Sequence, residues 1–460
     1  MIRKTEQIKG VSAIKLKKTK LSHVQIIALG FLLMIALGTA LLMLPCASAD
    51  GRSAPFREAF FTATSASCVT GLVLRDTATA WTPFGHAVIL LMIQLGGLGF
   101  MTVATLFYLL LNKRMGLRQR EIMVESINTT QIGGIMKLSR LILLGTFTLE
   151  LLGALLLAIR FIPMFGFGKG LWYGIFHSVS AFCNAGFDLL GSLGGKFCSM
   201  VPFRDDLYVN LVLMGIITVG GLGFLVWEDL LHNGFRWRRY RLHTKLVLVI
   251  SAILTFGGAF LILLLELNAT GTDLPFGGKV LTALFASVSA RTAGFNTVDL
   301  AVQTDATKLV TCLLMLVGGS PGSTAGGVKT VSVAAIVLFG IASFRGQDAP
   351  TVFGRRIPEE ARRKACNVLF FNAGLALLAA VILCGTQGFD LADVLMETFS
   401  AISTVGSTVG ITRELSPFCS YVVIALMYLG RVGSVSFAVA LLEKKAQPPV
   451  RYPEESIIVG

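Results

Sequence analysis

Four short Ser/Ala-rich segments, each ending in a glycine and each set between two long apolar stretches, divide this 460-residue chain into four similar parts. They read TSASCVTGL, SVSAFCNAGF, SVSARTAGF and FSAISTVGST, and their glycines, Gly71, Gly186, Gly294 and Gly406, recur about every 110 residues. A single such segment would be a turn. Four evenly spaced copies indicate one small unit used four times, the arrangement by which a single chain can surround a pathway on its own.

The flanking stretches decide the medium. Residues are 54% hydrophobic and only 14% charged, where a soluble chain would carry about 25% charge. With a mean hydropathy of +0.74 and recurrent apolar runs near spanning length, the class is an all-α polytopic membrane protein. Eight spans are expected in pairs: Val24–Leu44 and Phe84–Leu111, Leu138–Ile162 and Leu207–Leu231, Thr244–Leu267 and the interrupted Leu309–Phe344, then Ala365–Gly385 and Phe418–Leu442. The units are 24–111, 112–231, 232–344 and 345–442, with an N-terminal segment 1–23 and a tail 443–460.

The formal charge of +14 is placed unevenly. The first 23 residues hold seven Lys/Arg, and segments 112–137, 232–245 and 344–364 hold five, five and six. The four segments that carry the glycines hold three, three, two and one. The positive-inside rule puts both termini and the basic loops in the cytoplasm and the glycine segments outside. The basic excess is thus a topology signal and not a nucleic-acid surface. The N-terminal segment lacks the short apolar core and small-residue cleavage site of a removable signal. The eight cysteines show no paired spacing, which argues against a zinc site or disulfide framework.

Between the spans of each pair lies a semi-apolar segment, 56–68, 171–183, 278–290 and 390–402. A helix of that length reaches about 18 Å, too short for a hydrocarbon core of about 30 Å. Each is expected to enter part-way and return, which is tolerated where the backbone lines water or is buried in protein. A helix lying flat at the interface is the competing reading, and four copies with one polar tail weigh against it. Two full spans per unit make the repeats parallel around one central pore, unlike inverted-repeat transporters.

The returns are Cys68-Val69-Thr70-Gly71, Cys183-Asn184-Ala185-Gly186, Arg291-Thr292-Ala293-Gly294 and Ser403-Thr404-Val405-Gly406. None carries a carboxylate, so the expected filter is built of carbonyls and suits a monovalent cation. Second glycine clusters, at Gly96-Gly97-Leu98-Gly99, Gly220-Gly221-Leu222-Gly223 and Gly430-Arg431-Val432-Gly433, read as close packing inside the second spans.

Unit three differs. Gly318, Gly319, Ser320, Pro321, Gly322, Ser323, Thr324, Ala325, Gly326 and Gly327 place five glycines and a proline in ten residues, which cannot hold a regular helix. A movable gate below the filter and a static kink are the two readings. Arg431 falls mid-span in unit four, where a charge must be paired or hydrated. Its readings are a positive barrier in the pathway or an ion pair with Glu150 or Glu266. Lys329 reads as snorkelling to the cytoplasmic side, and His177 as a polar helix-end residue.

The motifs VTGL, SAFCNAGF, RTAGFN, ETFSAISTVG and the ending RYPEES, spread over nearly the whole chain, resemble the KtrB-like K⁺-translocating subunits of the Trk/Ktr/HKT superfamily. The resemblance implies K⁺ uptake through one filter glycine per unit, an intramembrane gate at the glycine-rich break, and a pore-facing Arg431 beside it. It implies no enzymatic activity and no cofactor, with K⁺ as the transported ion and Na⁺ as a candidate activator. It further implies a homodimer in the cell membrane and a cytosolic nucleotide-binding ring of the KtrA type docked on the basic loops. Members with serine at the first filter position favour Na⁺, whereas this chain has Gly71. It lacks TVGYG in every unit, which points to fewer ordered ion sites and weaker K⁺/Na⁺ discrimination. The competing classes are a Na⁺- or H⁺-coupled K⁺ transporter, a Na⁺-permeable member of the superfamily and a non-conducting membrane scaffold.

Overall fold

A computed structural model of the chain describes residues 23–99, 135–269 and 274–433. The basic N-terminal segment, most of the first basic loop, the far ends of the expected Phe84–Leu111 and Phe418–Leu442 spans, and the tail with RYPEES lie outside the described residues.

The protein is an all-α membrane protein. The first quarter contributes α1 (His23–Leu42), α2 (Phe56–Cys68) and α3 (Pro83–Leu98). Next come α4 (Ile135–Phe165), α5 (Phe167–Phe182), α6 (Leu207–Leu222) and α7 (Phe224–Asn233). The third quarter holds α8 (Leu242–Glu266), α9 (Phe276–Ser289), α10 (Asp305–Leu316) and α11 (Thr330–Phe344). The last holds α12 (Glu359–Gln387), α13 (Leu391–Ser403) and α14 (Pro417–Val432). Among the described residues the named strands are a minimal antiparallel hairpin, β1 (Thr351–Val352) and β2 (Arg355–Arg356). Phe353 and Gly354, both at positive φ, turn it as a two-residue loop requires.

Of the expected spans, α1, α4, α8 and α12 are single helices long and apolar enough to cross a membrane. Leu33, Phe256 and Phe370 on three of them are exposed, as lipid-facing positions should be. The helix that opens the second span of each unit is shorter and stops at or beside its glycine cluster. α3 ends at Gly99 and α14 at Gly433, both at positive φ. α6 and α7 meet at Gly223 with a bend of 96°. α10 and α11 are separated by the glycine-rich segment. The clusters therefore pack and also terminate: their last glycine adopts a conformation that other residues enter only with strain.

Each of these second helices starts on a polar cap. Thr82, Asp206, Thr304 and Ser416 accept hydrogen bonds from the backbone N–H of Gly85, Val209, Thr307 and Cys419. Such caps satisfy donors that the first helical turn leaves free.

Neighbouring units interlock in one direction. α3 packs on α5, α6 on α9, α10 on α13, and α14 back on α2. The second helix of each unit thus covers the short helix of the next, and the last unit covers the first.

Candidate functional site

The short helices α2, α5, α9 and α13 match the expected part-way segments to within a few residues. Each runs directly into its return, so four helix C-termini, with a partial negative charge of about half an electron apiece, converge on the same place. The returns share one backbone conformation. Val69, Asn184, Thr292 and Thr404, each two residues before its glycine, are all left-handed, with φ of 57°, 57°, 76° and 51°. Non-glycine residues rarely adopt this conformation, and β-branched ones least of all. The glycines follow at φ of 96°, 69°, 80° and 97°.

What holds this strained backbone is the serine of a Ser-Ala pair five or six residues before each glycine, Ser65-Ala66, Ser180-Ala181, Ser289-Ala290 and Ser400-Ala401. The backbone N–H before each glycine donates to that serine's carbonyl: Thr70 to Ser65, Ala185 to Ser180, Ala293 to Ser289 and Val405 to Ser400. The serine hydroxyl adds a second tie. Ser65 Oγ and Ser400 Oγ each accept from the glycine N–H at 3.0 Å. Ser180 and Ser289 instead donate to the carbonyls of Phe187 and Phe295, just past the glycine. Replacing Ser400 by alanine strands a buried N–H, a cost of about 1–3 kcal/mol. The Ser400→Ala protein should melt several degrees lower in detergent, and an unchanged melting curve would remove the hydroxyl from this role.

The four glycines meet. A methyl group on Gly71 would lie 2.5 Å from the Ala185 carbonyl and 3.2–3.3 Å from the Cα atoms of Gly186 and Gly406. On Gly294 it would lie 3.2 Å from the Cα atoms of the same two glycines. The returns therefore form one closed ring in chain order. Behind it, Gly96, Gly220 and Gly430 lie so near the carbonyls of Ser67, Phe182 and Ile402 that no side chain fits between. The second helices are thereby pressed onto the ends of the short helices.

Side chains near the ring are mostly turned to its support. Arg291 is buried and donates to Ser251 O at 3.1 Å, Thr255 Oγ1 at 2.9 Å and Ser251 Oγ at 3.1 Å, all on α8. It anchors its return outward. Asn184 Nδ2 donates to Thr292 Oγ1 at 3.2 Å, joining the second and third returns. Cys183 Sγ sits 3.8 Å from Gln94 Oε1 and Glu150 Oε1, and Gln94 Nε2 donates to Glu150 Oε2 at 3.0 Å. Four oxygens on the returns, Thr70 Oγ1, Asn184 Oδ1, Ser403 Oγ and Thr404 Oγ1, are buried with no hydrogen-bond partner among the described residues.

Two residues support the returns beyond what the sequence suggests. His177, expected as a polar helix-end residue, lies fully buried inside α5. Its Nδ1 lies 2.7 Å from Tyr173 O, and its Nε2 accepts from Leu189 N–H at 3.3 Å. Glu397 is also fully buried and accepts from Thr408 Oγ1 at 2.7 Å and from Thr412. Each precedes its glycine by nine residues and braces the chain descending from its own return. That shared offset was the available signal, obscured because Thr62 and Phe285 fill the place in the other units.

The glycine-rich segment of unit three lies against the opposite side of the returns. Gly318 abuts Thr292, and Gly326 abuts Ser403 and Thr404. The segment is tied to unit two by Ser320 N–H to Gly221 O at 3.0 Å, Thr324 Oγ1 to Phe182 O at 3.0 Å, and Phe224 N–H to Gly322 O at 2.7 Å. Arg431 spans the gap between unit one and this segment. Its guanidinium donates to Thr324 O at 2.7 Å, to Gly97 O at 3.1 Å and to Gly96 O. No salt bridge to Glu150 or Glu266 is formed; carbonyl dipoles stabilise the charge, as backbone does for intramembrane ions. Lys329 does not snorkel either. Its Nζ turns back to donate to Ala325 O at 2.6 Å and Gly326 O at 3.4 Å, fastening the segment to the start of α11.

The arrangement offers hard oxygen donors and helix carbonyl ends in one ring, with no carboxylate on the returns, and beside it an arginine bound to backbone carbonyls of unit one and of the glycine-rich segment. Residues 15–448 match the family described as TrkH, cation transport protein. The chain is 39% identical to the potassium/sodium uptake protein NtpJ of Enterococcus hirae over 450 residues, covering 96% of this chain and 98% of that one. It is 36% identical to the Ktr system potassium uptake protein B of Bacillus subtilis over 447 residues, covering 97% and 98%. In three dimensions it is similar to the potassium transporter TrkH of Vibrio parahaemolyticus, with a TM-score of 0.72 at 17% identity, over 94% of this chain and 87% of that one. A match along almost the entire length, together with a shared fold, places the chain in the TrkH family of cation transport proteins.

Proposed function

We propose that this chain is the channel-like, K⁺-translocating subunit of a regulated potassium uptake system. The observation that carries the reading is the ring itself: four returns with one strained backbone conformation, closed around a single axis at the carbonyl ends of four short helices. Such a ring replaces the water of a monovalent cation without the carboxylates that a divalent ion favours. In this reading Cys68 to Gly71, Cys183 to Gly186, Arg291 to Gly294 and Ser403 to Gly406 form the selectivity filter. The segment Gly318–Gly327 is the gate, and Arg431 holds it closed while placing one positive charge beside the pathway. The units are parallel repeats, both termini are cytoplasmic, and the chain pairs as a homodimer in the cell membrane. A nucleotide-binding ring of the KtrA type docks on the basic loops. The naming of one relative as potassium uptake protein B of a Ktr system supports a multi-component assembly.

The test is Rb⁺ and Na⁺ uptake into vesicles holding the protein. An interior-negative potential supplies about 2.3 kcal/mol per 100 mV for one charge. Rb⁺ uptake should follow that potential with no proton gradient present. A strict need for a proton or Na⁺ gradient would overturn the channel-like reading in favour of a coupled transporter. The Na⁺ arm also tests the second reading, a Na⁺-permeable member, which the name of the Enterococcus relative motivates.

A further inference from the structure

Pro321 of the glycine-rich segment lines a cleft of about 350 Å³. The cleft lies between the starts of α8, α11 and α12. Leu246, Ala335, Ile357 and Val368 make its body apolar. Pro321 contributes the wall that belongs to the segment. Three polar side chains share the space: Ser332, His243, whose Nε2 is buried without a hydrogen-bond partner among the described residues, and Lys364, an exposed cation paired with Glu360 at 2.8 Å.

We propose that this cleft binds a single-chain anionic amphiphile, a fatty acid drawn from the adjoining leaflet, and that its occupancy holds the glycine-rich segment in place across the pathway. Three observations select this class. The volume is at the lower end of the range for ligand pockets, about 300–1,000 Å³, enough for one chain and too small for a two-chain lipid. The walls are hydrocarbon. The headgroup must accept a hydrogen bond from the Nε2–H tautomer of His243 and sit near an ammonium, which a carboxylate does and an alcohol does only in part.

The coupling follows from where Pro321 sits. Gly322, next to it, accepts the Phe224 N–H at 2.7 Å, and the Pro321 carbonyl lies against Gly223. The segment is thus held by the bend of unit two and touched at Pro321 by whatever fills the cleft. A ligand whose contacts include Pro321 binds this arrangement better than one in which the segment has moved away. It must therefore shift the population toward it. The inference rests on the gate reading above, and the two fail separately, because binding is measured without ion flux.

The probes are oleate and, as the uncharged control, oleyl alcohol. Displacement of a spin-labelled stearate from the full-length protein in nanodiscs reports binding. Oleate should bind about tenfold more tightly than the alcohol, a difference one charge-assisted hydrogen bond supplies. Ala361→Trp, which fills the mouth of the cleft, should abolish specific displacement, and His243→Phe should weaken oleate about fivefold while leaving the alcohol unchanged. In vesicles, oleate should lower Rb⁺ flux at least twofold in the wild type and leave Ala361→Trp unaffected. Equal binding by wild type and Ala361→Trp, with both melting alike, overturns the site. Equal loss of flux in both assigns the effect to the bilayer and overturns the coupling.

Discussion

Replacing Gly71 by serine is expected to lower the ratio of Rb⁺ to Na⁺ flux about tenfold, equivalent to about 1.4 kcal/mol of discrimination. Two effects combine. The φ of 96° is one that a side-chain-bearing residue occupies only with strain, on the order of 1–3 kcal/mol. In addition, the new Cβ would meet the Ala185 carbonyl of the next return at 2.5 Å. The carbonyl must turn or retreat, and on the proposed carbonyl-filter reading either movement changes the ion the ring fits. The fold should survive, because Ser65 Oγ still receives the residue-71 N–H. The measurement is paired Rb⁺ and Na⁺ uptake, with melting temperature as the folding control. A folded Gly71→Ser protein with the wild-type ratio would remove this position from the filter.

Deleting Gly318–Gly327 should raise Rb⁺ flux by roughly tenfold or more, the scale on which a predominantly closed equilibrium is released. The geometry makes the deletion feasible. Val317 and Val328, which flank the excised stretch, already lie side by side in an isolated parallel bridge. Removal severs the ties to Gly221, Phe182 and Phe224 and leaves Arg431 without its Thr324 acceptor. The milder Arg431→Gln change should move flux in the same direction by a smaller factor, because it keeps the segment and removes its positively charged clasp. Flux unchanged in a folded deletion would rule out the gate.

Much of this was legible in the chain. The short helices and their returns could be found because a helix too short to span, repeated four times ahead of a glycine, has few structural uses in a membrane. Gly71, Gly186, Gly294 and Gly406 stand where the backbone requires them. Other features depend on tertiary contact and leave weaker traces. The second glycine clusters read as packing sites, and only the φ of Gly99, Gly223 and Gly433 shows that they also end helices. Arg291 stands in a return, yet its side chain is spent on Ser251 and Thr255 of α8, which no local pattern encodes. Lys329 and Arg431 both end on backbone carbonyls, where the sequence suggests water for the first and offers a carboxylate as one of two readings for the second. Backbone carbonyls freed by a broken helix are acceptors that a sequence does not advertise.

The one-way interlock of the units has a consequence for how the protein is made. Each short helix is covered by the unit before it, except α2, whose cover is α14. About 350 residues separate the two. At synthesis rates of about 5–20 residues per second, the oldest short helix waits roughly 20–70 s before its flank is matched. Biogenesis of this protein is therefore a closure problem. An insertase or holding factor that shields α2 during that interval would set the yield, and a chain truncated before Pro417 would leave that helix as its exposed degradation signal.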